Sequence, residues 1–169
     1  MSNIEDNSLL LMQAAADDDA VEVQRLIPIS DPTFSNSEAL YAAIIYGHAR
    51  CVELLLPMSD PHSRGSYGLQ MAARNGHTEC VKLLLPIVNP KANNSYALQA
   101  AVENGHTPCV ELLYPVSDPT VALQELQHDH PDAYSKWGQL QQMIDAERLN
   151  TVLHKKIGEY TSVKVQRKM

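Results

Sequence analysis

The chain has 169 residues, enough for one domain with a substantial core. It is 44% hydrophobic and 20% charged, which is the composition of an ordinary folded protein. Its net charge of -7 opposes binding to nucleic-acid phosphates, which requires a basic surface. The N-terminal residues show no basic stretch, and their apolar runs are too short for a signal peptide or a membrane span. We therefore expect a cytoplasmic protein.

Charge is distributed unevenly along the chain. Residues 1–31 carry Arg25 against seven acidic side chains, namely Glu5, Asp6, Asp17, Asp18, Asp19, Glu22 and Asp31. Residues 155–168 reverse this balance with Lys155, Lys156, Lys164, Arg167 and Lys168. We expect residues 158–169 to form a basic, flexible tail, as solvated chain ends commonly do. The acidic body would attract a basic protein partner.

A sequence of fixed length recurs along the chain. It reads SEALYAAIIYGHARCVELLLP from Ser37, SYGLQMAARNGHTECVKLLLP from Ser66 and SYALQAAVENGHTPCVELLYP from Ser95. A diverged copy starts at Ser8, with Asp18 and Asp19 in place of Gly-His. The units cover about 8–36, 37–65, 66–94 and 95–119. A period of about 29 residues is typical of a solenoid, in which each unit buries its apolar face by stacking on the next.

Each unit has the pattern of two short helices. Gly105 is expected to end the first helix of the fourth unit because glycine readily adopts positive φ. Thr107 would then cap the second helix, with Pro108 at its first position, and Pro115 would end it. Apolar residues on one face of the first helix are Ala97, Leu98, Ala101 and Val102.

Residues 120–157 leave the repeat frame. Residues 121–130, VALQELQHDH, have the pattern of the first helix of one more unit. Pro131 then starts another helix. The apolar face of that helix consists of Tyr134, Trp137, Leu140 and Ile144. We expect a helical C-terminal cap over 120–157, because terminal repeats are usually atypical. Residues 1–157 would then form a single domain.

The recurring pattern L-x-x-A-(x3)-G-H-x-x-C-V-x-L-L resembles the ankyrin repeat. The resemblance covers about residues 8–119 and is specific because four copies agree in register. It implies an all-α solenoid of helix-turn-helix units. The units are shorter than the family's usual length of about 33 residues, and the missing residues fall where the family forms its β-hairpin fingers. We therefore expect shortened fingers.

Histidine and cysteine recur in every later unit and could suggest a nucleophile with its base, or a pair of metal ligands. Cys51, Cys80 and Cys109 fall in a slot that resembles a core valine of the family, and buried cysteine behaves as a small hydrophobe. Three cysteines cannot all pair, and neighbouring helices lie too far apart for a ladder of disulfides. The histidines are one repeat apart, too distant for one metal ion. The resemblance implies that His48, His77 and His106 brace the interhelical turns.

Other candidate sites have simpler interpretations. His128, Asp129 and His130 lack a second ligand cluster, so a polar loop is favoured over a metal site. Asp17, Asp18 and Asp19 are consecutive, which predicts a solvated helix end rather than a catalytic pair. The sequence contains no phosphate-binding glycine motif. We therefore expect no enzymatic activity, no cofactor and no metal.

Partner recognition should fall on positions that vary between copies of a fixed framework. One set is the pair before each Gly-His, and the other is the inter-repeat loop with the start of the next helix. The resemblance implies that these positions face a partner on the concave side. Tyr67 and Tyr96 could instead pack on the next repeat. The candidate partner-binding residues are Phe34, Glu38, Ile45, Tyr46, Arg64, Tyr67, Arg74, Asn75, Asn93, Tyr96, Glu103 and Asn104.

These observations predict a noncatalytic protein that binds a partner protein and is a monomer by itself. Short repeats without an accessory domain resemble small bacterial or viral ankyrin proteins. The acidic charge favours an immunity-type inhibitor that works in the cytoplasm and neutralises a toxin or an enzyme with a basic surface. The alternative is a secreted bacterial effector that engages a host protein, with the basic tail as its export signal.

Overall fold

A computed structural model describes residues 2–135, 137–139, 141–142 and 145–146 of the chain. The regular structure within these residues is helical and contains no strand. Leu140 and Ile144 of the expected C-terminal apolar face lie outside the described residues, as does the basic tail.

Nine longer helices follow one another along the described chain. Two of the second helices continue into short 3-10 turns, Ile27–Ile29 and Leu56–Met58. Residues 131–135, 137–139, 141–142 and 145–146 are also helical. The helices are α1 (Ser2–Ala16), α2 (Ala20–Leu26), α3 (Phe34–Tyr46), α4 (Ala49–Leu55), α5 (Tyr67–Arg74), α6 (Thr78–Leu84), α7 (Ala92–Glu103), α8 (Thr107–Leu113) and α9 (Pro119–Asp129).

The helices form two layers. The first helices of the units, α1, α3, α5, α7 and then α9, pack side by side in chain order. The second helices α2, α4, α6 and α8 form the other layer, and each packs on the first helix of its own unit. This arrangement confirms the predicted all-α solenoid of helix-turn-helix units.

The core is built from the same slots in successive units. Leu55, Leu84 and Leu113, in the second helices, are completely buried, and so are the valines three residues before them. The predicted face of α7, formed by Ala97, Leu98, Ala101 and Val102, is also buried. Since each slot lies against its counterparts in the neighbouring units, the core continues from unit to unit.

The turn between the two helices of a unit depends on a left-handed residue. Gly47, Gly76 and Gly105 have φ values of 82°, 77° and 72°, so the expected glycine stops are confirmed. Asp18 occupies the same slot in the first unit with φ 61°; aspartate tolerates this conformation better than most residues.

The predicted N-terminus of α8, the second helix of the fourth unit, was wrong by one residue. His106, not Thr107, is the N-cap of α8, and Pro108 therefore stands at the second helical position. Its missing N–H still carries no cost, because the first four N–H groups of a helix have no partner within the helix.

The linkers that replace the β-hairpin fingers close onto the helices of their own units. Ser35–Ser37 and Asn93–Ser95 are runs of three left-handed residues, so regular α-helix begins only at Glu38 and Tyr96. Buried serines in three units then accept a hydrogen bond from the backbone N–H that follows the second helix. These bonds join Asp31 to Ser8, Asp60 to Ser37 and Asp118 to Ser95, each at 2.9 Å.

The far end of the stack is covered by residues that follow α8. Helix α9 packs on α7 as a fifth first-helix. Trp137 is only 6% exposed, and its ring lies 5.6 Å from that of Tyr114. Tyr134, on the expected apolar face, remains 38% exposed.

Candidate protein-binding site

The variable pairs before the Gly-His turns lie at the C-terminal ends of the first helices. We call the six residues Ile45–Tyr46, Arg74–Asn75 and Glu103–Asn104 the variable strip. Neighbouring helices are about 8–10 Å apart, so the variable strip presents one pair at each such interval. Tyr46, Arg74, Asn75 and Asn104 are exposed, whereas Ile45 and Glu103 are partly buried.

The histidines hold the variable strip from the following unit. Each Nε2 donates to a backbone carbonyl at the end of the preceding first helix. The acceptors are Ala16 for His48 at 2.9 Å, Ile45 for His77 at 2.9 Å and Arg74 for His106 at 3.0 Å. The predicted brace thus connects two units as well as supporting one turn.

The glycines at the turns also make room for these imidazole rings. A Cβ atom on Gly47 would come within 2.4 Å of the His77 ring, and one on Gly76 within 2.6 Å of the His106 ring. Gly105 has nothing within 4 Å of the same position. Two glycines are therefore required both by their positive φ and by the close approach of the next histidine.

Tyr46 is the most prominent side chain of the variable strip. It is 61% exposed, and its ring stacks on that of His48 at a centroid distance of 6.1 Å. The amide of Asn75 donates to the Ile45 carbonyl at 3.0 Å, so the backbone beside Tyr46 is bonded from the following unit. An exposed aromatic side chain on a fixed backbone loses little conformational entropy when a partner covers it.

Two predicted partner residues, Glu38 and Arg64, interact inside the protein. Arg64 forms an ion pair with Glu38, and its guanidinium lies 4.8 Å from the ring centroid of Tyr41. Tyr41 is completely buried, donates its hydroxyl to the Pro61 carbonyl at 3.1 Å and accepts from the Arg64 N–H at 3.1 Å. This network was not visible in the sequence, where its only signal is a tyrosine at a position that is glutamine in the two later units.

The other predicted residues of the linker set are divided between packing and exposure. Tyr67 is 38% exposed, and its ring lies 6.1 Å from that of Tyr41 in the preceding unit. Tyr96 is 37% exposed. Phe34 is partly buried and Asn93 is exposed. Tyr67 therefore packs in part on the preceding unit rather than on the next one, and the rest of its side chain is accessible.

The three cysteines lie in the core as free, completely buried thiols. Burial raises the pKa of Cys51 and of Cys80 to about 11, with the Asp18 carboxylate adding to the effect at Cys51 and Glu79 at Cys80. Burial also raises the pKa of Cys109. These thiols stay protonated near neutral pH, which is the opposite of what a nucleophile needs.

The acidic cluster at the first turn has structural contacts. Asp19 caps α2 by accepting from the Glu22 N–H at 2.9 Å, and Asp17 accepts from the Gln13 amide at 2.8 Å. Asp18 approaches the ring of His48 at 3.5 Å. At the other end, His130 Nε2 lies 3.4 Å from a Glu103 carboxylate oxygen.

Neither a metal site nor a membrane span occurs in the part of the chain that the structure describes. No group of three or more His, Cys, Asp or Glu side chains there could hold a metal ion. No helix there is long and apolar enough to cross a membrane.

Comparison with known proteins identifies the repeats. Residues 57–122 match the family model for ankyrin repeats (3 copies). The chain contains ankyrin repeats. The match runs from the end of the second unit into α9, and the earlier ankyrin units follow from their register and their similar packing. No curated protein matches the chain. Ankyrin repeats form protein–protein interaction modules, so a protein partner is indicated.

Proposed function

We propose that this ankyrin protein is a noncatalytic inhibitor that holds a partner protein against the variable strip. The observation that carries the proposal is the exposure of Tyr46 beside a backbone that is hydrogen-bonded to the following unit. The positions around it differ from unit to unit, while the turns and the core slots repeat. Variation at exposed positions on a constant scaffold is the pattern expected of a recognition surface.

The chemistry of the strip supports a mixed contact. Tyr46 supplies a large amphipathic ring, and Arg74 a guanidinium, which are among the side chains most enriched at interface hot spots. Asn75 and Asn104 flank them, although one amide hydrogen of each already reaches a carbonyl of the scaffold. We propose Tyr46 and Arg74 as the anchors and the asparagines as the surrounding rim.

Charge supports a basic partner domain. The chain carries 20 acidic against 13 basic side chains, and such an imbalance accelerates encounter with a basic protein. An immunity-type protein that covers a toxin or an enzyme in the cytoplasm would need this fast capture and no chemistry of its own. One copy of the chain is proposed as the binding unit, because the variable strip lies within a single stack.

The test begins with isolation of the partner by affinity purification from the native organism, followed by titration of the purified pair. Tyr46→Ala is expected to weaken binding by about 30-fold, the effect of losing a hot spot worth about 2 kcal/mol. Tyr134→Ala is the matched control, since Tyr134 is also exposed but lies outside the strip. Unchanged affinity in Tyr46→Ala would contradict the strip assignment.

The inhibitor role has its own test. The purified partner should lose its toxic or enzymatic activity when one equivalent of the natural chain is added. It should keep more of that activity when the Tyr46→Ala variant is added instead. A partner that remains active in the complex would contradict inhibition. Recovery of the chain inside host cells, bound to a host protein, would favour the secreted effector instead.

A further inference from the structure

A second repeated surface lies on the edge of the stack where the second helices end. Ile29, Met58, Ile87 and Val116 occupy one slot in four successive units, each directly after a proline. They are 47%, 54%, 43% and 41% exposed. We call these four residues the edge row. A large apolar side chain that is exposed in every unit is unusual, because isolated surface hydrophobes are normally scattered.

The edge row is separate from the variable strip. Helices α4 and α6 each have seven residues, or about 10 Å at 1.5 Å per residue. The Gly-His turns are at their N-terminal ends and the edge row follows their C-terminal ends. With units about 8–10 Å apart, the row extends for about 25–30 Å along the stack.

Acidic side chains accompany the edge row. Asp31, Asp60 and Asp118 follow two residues after Ile29, Met58 and Val116, and Asn89 takes this place in the third unit. None of the three carboxylates forms an ion pair with Lys or Arg within the described residues. The edge therefore combines an apolar row with a mainly negative border.

We propose that the basic segment 147–169 of the same chain lies along the edge row. This segment contains six basic residues against Glu147 and Glu159, so its charge is complementary to the acidic border. Four of its apolar residues recur at spacings of three and four, namely Leu149, Leu153, Ile157 and Tyr160. On a helix this spacing forms one apolar face, which matches a straight row of apolar contacts.

The chain reaches the edge row at the correct end. Trp137 packs on Tyr114, which is two residues before Val116. A segment of this length would measure about 35 Å as a helix and more if extended, which matches the row from Val116 to Ile29. One chain can therefore cover its own edge without a second copy, and the variable strip remains open to a partner.

The proposal is independent of the inhibitor role and can be tested on the full-length chain alone. Methyl NMR in the presence of a soluble gadolinium chelate measures how accessible each methyl group is to solvent. We expect the methyl signals of Met58 and Ile87 to broaden less than those of Leu10, which is 53% exposed, comparable with these two residues, and lies outside the row. Equal broadening at the three residues would overturn the proposal.

A charge reversal in the segment provides the decisive comparison. Lys155→Glu combined with Lys156→Glu and Lys164→Glu should release the segment, so that Met58 and Ile87 broaden about as strongly as Leu10, which has a comparable exposure. Unchanged protection of the edge row in this variant would overturn the proposal. The signal of Leu10 should stay the same and serves as the internal control.

A second variant changes the other side of the contact. Asp60→Asn with Asp118→Asn removes two charges but keeps the turn acceptors, as Asn89 does in the third unit. Increased broadening of the edge row is expected here and also at high salt, and no increase in either would contradict the charge complementarity. Protection that disappears on tenfold dilution would assign the cover to a second copy and overturn the in-chain contact.

Discussion

The first unit and the three later units form the same interhelical turn with different residues. The later units use a left-handed glycine followed by a histidine that bonds to the preceding unit. The first unit uses Asp18 in the left-handed slot and Asp19 as a side-chain cap of its own helix. The comparison shows that Gly-His serves stacking as much as turning.

Among the predicted substitutions, those at the turn glycines of the later units should lower the free energy of unfolding most. Gly76→Ala combines a left-handed alanine, at about 1–2 kcal/mol, with a Cβ atom inside the contact distance of the His106 ring. We expect a loss of about 3 kcal/mol in the free energy of unfolding, near the upper end for a strained site. Denaturant titration measures it.

Gly105→Ala is the matched control for that prediction. Gly105 has a similar φ but open space around its Cβ position, so only the backbone cost of about 1–2 kcal/mol should remain. Equal losses of unfolding free energy in the two variants would show that the close approach of the histidine ring does not affect stability.

The serine bridges provide the next smaller effect. Ser37→Ala removes the acceptor of the Asp60 N–H and leaves that donor partly buried without a partner, which should cost about 1–3 kcal/mol. Ser66 makes only a 3.4 Å bond to the Asn89 carbonyl, so Ser66→Ala should cost less. Thermal unfolding of the two variants compares them directly, and a larger loss at Ser66 would contradict this ranking.

The helix cap of the first unit should be worth less than a serine bridge. Asp19→Ala removes the bond to the Glu22 N–H and should destabilise the protein by about 1 kcal/mol. Asp19→Asn keeps an acceptor and should stay close to the natural chain in urea titration. If both variants lose equal stability, the carboxylate charge rather than the cap is responsible.

Cysteine ionisation should separate the folded from the unfolded protein at high pH. Because burial raises the pKa of Cys51 and Cys80 from 9.0 to about 11, the unfolded state loses its thiol protons first. Their contribution to stability is present below pH 9 and is lost as the pH rises through about 11. At about pH 7.5 an alkylating agent should leave all three thiols unmodified until denaturant is added. Rapid alkylation of the native chain would contradict this.

The sequence was sufficient for the features that repeat. The repeat period, the glycine stops and the buried cysteine slot all follow from residue type and register, and the structure confirms them. Helical periodicity also predicted α9 as a further first-helix. These features depend on local rules and on the stacking of equivalent slots, which a sequence shows directly.

The features that depend on contacts between residues distant in sequence were not visible. The left-handed runs before the regular parts of α3 and α7 contain Ser and Asn, which are common in many kinds of loop. The contacts of Arg64 with Glu38 and Tyr41 join the linker of a unit to the helix at its other end. Arg64 therefore looked available to a partner when it already supports the scaffold, and Ile45 proved partly buried. A repeat identifies its slots but does not show which side chains meet when the unit closes.

The linear arrangement of contacts has a consequence for how such a protein changes over generations. Each later unit meets its neighbours through equivalent glycines, histidines and core slots, so a block of one repeat could be removed or duplicated in register. Deleting residues 66–94 would bring Ser95 into the place of Ser66 and shorten the variable strip by one pair. The length of the recognition surface can thus change by one repeat at a time, while point substitutions at Tyr46 or Arg74 alter its chemistry.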